Sequence, residues 1–442
     1  MAATALNDYI YQLHEFWSAK GPPAETFGRS GSFFRQLQKT VRADWQGTGT
    51  AQLPVRSSIQ GNAGPNFSKV RANHSSSSGE QFLIPAADFW LTMQLSNRFV
   101  SFTRDPMYLE SNLSGLNDEM EQTAAAWMRA CSYLLWSDGR GGIGKGDGAF
   151  AVAGSTITLR NAASAACFEV GDVLRMVLVA NFDAAAPGTL PTPEAGTLTV
   201  TAVDEDAGTL TVAETINVAI PTATNTAFIS KDVYFSADID QLFTGVFGFL
   251  AETNTLANTS FYGVTRSTSP TRLAGQRVNL AGSESPWSIC SAIMDKANTS
   301  GAKIDQIWYP ASQTKALMEE MASRNIHFTR VEVGLDAPQN LRIGFTAASV
   351  CYGDMECQLI SDRFLIDPAA LTGEDVRYVG LNSAECEILT SDGISWKDYD
   401  GDGSFLVRDP ATQVNQAEYG AFCAYQHRDT HNAIVARVGA DA

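Results

Sequence analysis

Nowhere in these 442 residues do eighteen uncharged apolar residues run together, and the N-terminus lacks the basic-then-apolar order of a secretory signal. Neither a membrane-spanning helix nor signal-directed export is expected. Cysteine is sparse: there are seven, an odd number, with no CxxC pair. That count fits reduced thiols in a core rather than a disulfide framework or a zinc site. Positive charge is also short, 31 Lys and Arg against 48 Asp and Glu, for a net charge of −17. A sequence-independent grip on nucleic acid needs clustered cations, so the chain as a whole is not built for one.

Catalytic signatures are missing too. There is no GxSxG turn, and no Ser, His and acid set is tied together by local context. The histidines are His14, His74, His327, His427 and His431. The last two stand four apart, but Arg428-Asp429-Thr430 between them is not the HExxH of a zinc hydrolase, and on a strand they would share a face without needing a ligand.

What is present is a folded chain, 44% hydrophobic and 18% charged, long enough for two or three domains. Its strongest pattern is Leu109, Leu113, Leu116, Met120, Ala124, Trp127, Cys131 and Leu134, apolar residues at steps of three and four. This is one buried face of a helix, a spine of roughly 40 Å. Gly139, Gly141, Gly142, Gly144, Gly146 and Gly148 should stop it near Ser137. The same run spells both G-x-x-x-x-G-K, ending at Lys145, and G-x-G-x-x-G. A phosphate loop must follow a strand and open a helix, whereas here a helix comes first, so a flexible joint is the expectation. A nucleotide-dependent cytoplasmic enzyme using Lys145 is the rival reading.

Ahead of the spine, Leu6 to Trp17 repeat at helical spacing before Gly21-Pro22-Pro23. Residues 28–79 are Gly-, Ser- and Asn-rich, which predicts an extended arm and a two-stranded loop that need a partner surface. Residues 1–79 carry eight basic and four acidic groups, so this arm is +4 and the rest −21. Opposite charge invites contacts between copies. Beyond the glycines, residues 150–232 alternate Thr and Val and repeat Ala-Gly-Thr-Leu-Thr-Val at 195–200 and 207–212. They predict a small inserted all-β domain containing a hairpin. Ser285 and Pro286 start a helix closed by Gly301, followed by a strand over 304–309 and a helix around Leu317. Later strands are expected at 349–351, 357–360, 376–379 and through the tail 419–438. The order is that of an α+β protein.

Asp398, Asp400, Asp402 and Asp409 stand at the first, third, fifth and twelfth positions of a candidate calcium loop, with Gly403 at the turn. Asp in place of Glu at the twelfth position, Leu406 at the ninth and non-helical flanks leave an acidic surface loop as the other reading. A calcium-dependent binding module would be built on these four residues. No cofactor is otherwise required.

The arrangement resembles the major capsid (head) proteins of tailed bacteriophages. The carriers are the basic arm, the loop through Val55 to Gly79, and the spine ending Leu134-Leu135-Trp136-Ser137-Asp138-Gly139. With them go the segment from Phe261-Tyr262-Gly263-Val264 to Leu273-Ala274-Gly275, the helix and strand around Ile289 to Trp308, and the closing Tyr419 to Gly439 strand. The resemblance implies that fold, with an N-terminal arm (1–50), an extended loop (51–80) over a neighbouring subunit, and a peripheral domain (81–149, 233–284 and 396–442) interrupted by the insert. An axial domain would occupy 285–395. It also implies no enzymatic activity, homo-hexamers and homo-pentamers of an icosahedral shell, and a place in the virion after assembly in the host cytoplasm. Implied partners are a separate scaffolding protein, a portal and a decoration protein, with only loose contact to packaged double-stranded DNA and no membrane.

Overall fold

A computed structural model describes residues 32–41, 50–59, 61, 63–73, 76–96, 109–235, 242–251, 253–280, 284–323, 348–352, 355–366, 376–391, 393–397, 407–408 and 414–438. These form an α+β fold of three six-stranded sheets and two short hairpins arranged about one long helix. None of the described helices is long and apolar enough to cross a membrane.

The spine is the helix Leu109–Leu134. Its chain keeps turning through Ser137, where the amides of Leu135, Trp136 and Ser137 bond back to Cys131, Tyr133 and Leu134. The carbonyls left over at this end are met from outside: Val246 N–H donates to Leu135 O (2.7 Å) and Gly245 N–H to Ser137 O (3.1 Å). Only glycine fits at 245, since a Cβ there would stand 2.1 Å from Leu135 O.

Against the spine lies the first sheet. Its centre is Val414–His427, paired antiparallel with Ala87–Ser96 and with Cys386–Thr390. Trp127 of the spine contacts the rings of Phe89 (5.4 Å) and Tyr419 (5.8 Å), and its indole N–H donates to Phe89 O. Part of the arm belongs here as well: Gln38–Val41 runs parallel to Cys386–Thr390, and Phe33, Phe34 and Leu37 just before it are buried. Residues 32–41, packed into the core, therefore correct the expectation that this part of the arm needs a partner surface; the helix expected over 6–17 lies outside the described residues.

The second sheet is built from residues 144–231, in the order Gly144–Lys145, Phe228–Lys231, Val173–Val177, Leu198–Asp204, Thr209–Val212 and Thr156–Thr158. The repeated words form antiparallel neighbours, with a bulge between Val200 and Ala202. Short helices at Ala162–Cys167, Val179–Ala184 and Ile216–Ala219 depart from the all-β expectation. One apolar core runs without a break from Phe33 through Ile157, Leu210 and Ile229 to Val435, so the insert shares the core of the spine.

The third sheet, Gln276–Leu280, Ile434–Val438, Val376–Leu381, Gln306–Pro310, Met355–Asp362 and Ala348–Tyr352, carries the helices Pro286–Ser300 and Thr314–Ser323 on one face through Ile289, Ile293, Leu317 and Tyr378. The first helix starts and stops as its sequence indicates: Ser285 Oγ accepts from Ser288 N–H, Pro286 occupies the first turn, and Gly301 closes it at φ 74°. This sheet cuts across the boundaries expected at 285 and 395, because it begins at Gln276 and borrows Ile434–Val438. The tail is thus two strands in two sheets rather than one, broken by the turn Thr430–Asn432.

That turn also separates the paired histidines. His427 ends the strand, fully buried, while His431 sits in the turn. His427 Nδ1 lies 3.2 Å from both Cys386 Sγ and Tyr425 Oη, and Nε2 lies 3.1 Å from Asp429 O. A proton on Nε2 satisfies that carbonyl and leaves Nδ1 as acceptor. Burial pushes the imidazole down to about 4 and the Cys386 thiol up to about 12, so both are neutral and do not form a thiolate–imidazolium couple. The other described cysteines, Cys131, Cys167, Cys290, Cys357 and Cys423, are buried free thiols.

Two outcomes follow from these placements. Gly245→Ala should cost more than about 3 kcal/mol in urea denaturation, because backbone must move, whereas Gly301→Ala meets no atom and should cost about 1 kcal/mol for its left-handed φ. Protons bind the unfolded His427 first, so its contribution is intact above about pH 6.5 and is lost as pH falls toward about 4, by up to about 3 kcal/mol. His427→Gln should remove that part of the acid sensitivity in melting curves taken across the window.

Candidate assembly surface

The strands Thr50–Arg56 and Gly79–Pro85 pair antiparallel, Thr50 opposite Pro85 and Arg56 opposite Gly79. Alternation decides which face meets the body. Ala51, Leu53, Phe82 and Ile84 point inward and are buried, with the Phe82 ring 6.0 Å from Phe249 and 6.1 Å from Phe261. Gln52 and Gln81 bond each other on the outward face, where Leu83 is also exposed.

A clamp on the body holds this base. Leu83 N–H donates to Tyr262 O (3.0 Å). Tyr262 takes φ 46° and Gly263 φ 83° in the two-residue turn between Ser260–Phe261 and Val264–Thr265, which costs about 1 kcal/mol at the tyrosine. Behind the turn, Arg266 is completely buried. Its guanidinium donates to the carbonyls of Gly248, Phe249, Leu256 and Thr259 and lies 4.8 Å over the Phe261 ring. Burial brings it down to about 10, still charged at neutral pH, so these carbonyls fix a rigid platform. Arg272 reaches Ser57 O (3.2 Å) and Thr268 reaches Glu80 (3.3 Å).

Past a knot of hydroxyls, Ser57 and Ser58 on Ser78, the loop stops contributing to the core. Its tip helix Phe67–Ala72 is capped by Asn66 and buries nothing. Phe67 is 78% exposed and Ile59 66%, beside Lys69 and Arg71. Among the described residues none covers the phenyl ring there, whose burial is worth roughly 2 kcal/mol.

A second exposed group lies on the face of the first sheet turned away from the spine. The rings of Trp90 and Phe422 meet edge to face at 5.4 Å, and Lys397 Nζ sits 4.9 Å over Trp90. Phe422 is 40% exposed, with Asp88 across the ladder, and Glu418 faces Thr92 four pairs further. Sequence reading missed this patch, since its residues come from three separate stretches of chain.

The glycine run is neither a joint nor a phosphate cradle. Its amides are committed: Ile143, Gly146 and Gly148 donate to the carbonyls of Ile229, Ala227 and Asn225, and Lys145 pairs with Phe228 in the ladder. Glycine is required because a Cβ at 142 would strike the Phe182 ring at 2.7 Å. Around it lies a cavity of about 450 Å³ lined by Arg140, Lys145, Arg377, Arg437, Asp138 and Asp183 among others. Arg140 stacks on Phe182 (4.1 Å), Phe182 on Phe228 (3.8 Å), and Lys145 lies 5.0 Å over Phe228, so these cations already face aromatic rings. The candidate calcium ligands Asp398, Asp400, Asp402 and Asp409 lie outside the described residues.

No protein-family profile matches this sequence, and no curated protein sequence does. Solved structures do match. The capsid chain of cyanophage A-1(L) aligns with a TM-score of 0.50 and 11% identity over 94% of this chain and 95% of that one. The capsid chain of Myoviridae phage XM1 aligns at 0.42 and 8% over 96% and 97%. At such identity the likeness is one of fold. The α+β architecture described above is that of the cyanophage capsid chain over nearly its whole length.

Proposed function

We propose that this chain is a major capsid protein that builds the hexamers and pentamers of an icosahedral phage head around double-stranded DNA. The observation that carries the proposal is the loop: a hairpin rigidly clamped at its base, in a fold shared with a phage capsid chain, ends in a tip helix with no buried residue among the described residues. Such a tip is complementary to a second copy. Residues 50–85 carry Arg56, Lys69 and Arg71 against Glu80 alone, on a chain of net charge −17. Electrostatic attraction would steer the loop and apolar burial would hold it. An acidic shell would meet packaged DNA loosely, because like charges repel. Scaffolding, portal and decoration proteins belong to this proposal as partners, the virion as its location and the host cytoplasm as its place of assembly.

The reading favours no enzyme on the glycine run, given the amides committed to the ladder. Expression alone and together with a scaffolding partner should give rings or shells by negative-stain microscopy; a strict monomer under all conditions would count against it. Phe67→Ser should leave the melting of the unassembled chain within about 0.5 kcal/mol of wild type while abolishing rings, since one lost contact of about 1–3 kcal/mol recurs at every interface. Reversing Lys69 and Arg71 together to Glu should slow assembly most at low salt, read by light scattering.

A further inference from the structure

The arm residues 32–41 touch three elements at once. Phe33 places its ring 4.4 Å from Trp136 at the end of the spine and 5.0 Å from Trp308 of the third sheet, while those two indoles stand 6.0 Å apart. Phe33 N–H donates to Asp362 Oδ2 (2.8 Å) at the end of a third-sheet strand, where the same buried carboxylate also takes Phe364 N–H. Gln306 donates to Gln36 (3.1 Å). On the other side Phe34 lies 6.1 Å from Trp127 under Lys39, and Thr40 donates to Glu387, a buried carboxylate held by Arg428 in the first sheet. A four-residue strand and a five-residue helix therefore span the seam between the first and third sheets.

We infer that this segment is a removable wedge: with Phe33 seated, the first and third sheets are locked at one angle through the spine, and withdrawal of the arm lets the third sheet swing as a body. The physical reason is the placement of the contacts. The third sheet keeps its two helices through a separate core of Ile289, Ile293, Tyr378 and Ile434 on one face, independent of the arm, while its other face, with Trp308, Ile360, Val379 and Val435, lies against the common core and would slide across it as the sheet swings. What the arm supplies is the ring between Trp136 and Trp308 and the amide on Asp362, both of which lie at the seam. Removing them opens a slot there and leaves a buried carboxylate short of a donor, which favours a shift of the seam to admit water.

The test measures a distance between the two sheets rather than stability, and it uses the unassembled full chain, so it stands or falls apart from the shell proposal. Spin labels go on Thr92→Cys, on the exposed face of the first sheet, and Lys315→Cys, exposed on the third-sheet helix; the native described thiols are buried and react slowly. Pulsed electron paramagnetic resonance on spin-diluted protein should give one narrow distance in the wild-type arm background. Phe33→Ala and Asp362→Asn should broaden it or shift it by several ångström, with native circular dichroism retained, and Phe33→Leu should restore most of the narrow peak. If Phe33→Ala does not fold, Asp362→Asn alone carries the measurement. An unchanged distance in a folded variant whose arm has become protease-sensitive overturns the inference.

Discussion

Everything in this molecule converges on the C-terminal end of one helix. Trp136, buried where the spine stops, meets Phe33 of the arm, Trp308 of the third sheet and Phe247 of the segment whose Gly245 and Val246 amides cap the helix. Each aromatic pair contributes about 0.5–1.5 kcal/mol beyond the area it buries, and the area itself is large. The constraint is geometric as much as energetic. Four separated stretches of chain must arrive at one place, and Gly245 admits the closest of them because a side chain would collide with the carbonyls being capped.

From that anchor the structure divides into what is rigid and what is offered. The platform under the hairpin is rigid: a buried guanidinium bound by four carbonyls, a strained Tyr262 presenting its carbonyl to Leu83, and phenylalanines packed edge to face below. Beyond the serine knot none of the described residues of the same loop is buried. In the proposed assembly, a stiff base with an exposed aromatic tip would let contact energy with another copy be gained without first ordering the strands, which lowers the entropic cost of association.

The sequence exposed some of this directly. The steps of three and four from Leu109 to Leu134, the Ser285-Pro286 start and Gly301 stop, and the twin Ala-Gly-Thr-Leu-Thr-Val words are local signals, and the structure carries a helix, a capped helix and a hairpin at those places. The glycine run misled because two different requirements produce the same letters. Glycines needed for a phosphate loop look like glycines needed to pass close to Phe182 and Phe228, and only the partners of the amides tell them apart.

Residues 32–41 show the other boundary. Gly, Ser and scattered aromatics read as an arm that needs a partner surface, yet Phe33 and Phe34 are among the buried core residues, because their partners Trp136, Trp308 and Trp127 come from far along the chain. Periodicity, caps and composition act between neighbours in sequence, so the sequence alone determined the helices, the alternating strands and an α+β class. Which sheet received the tail, how the insert joined the core of the spine, and which aromatics were left at the surface depended on contacts between distant segments, and those exist only once the chain has closed on itself.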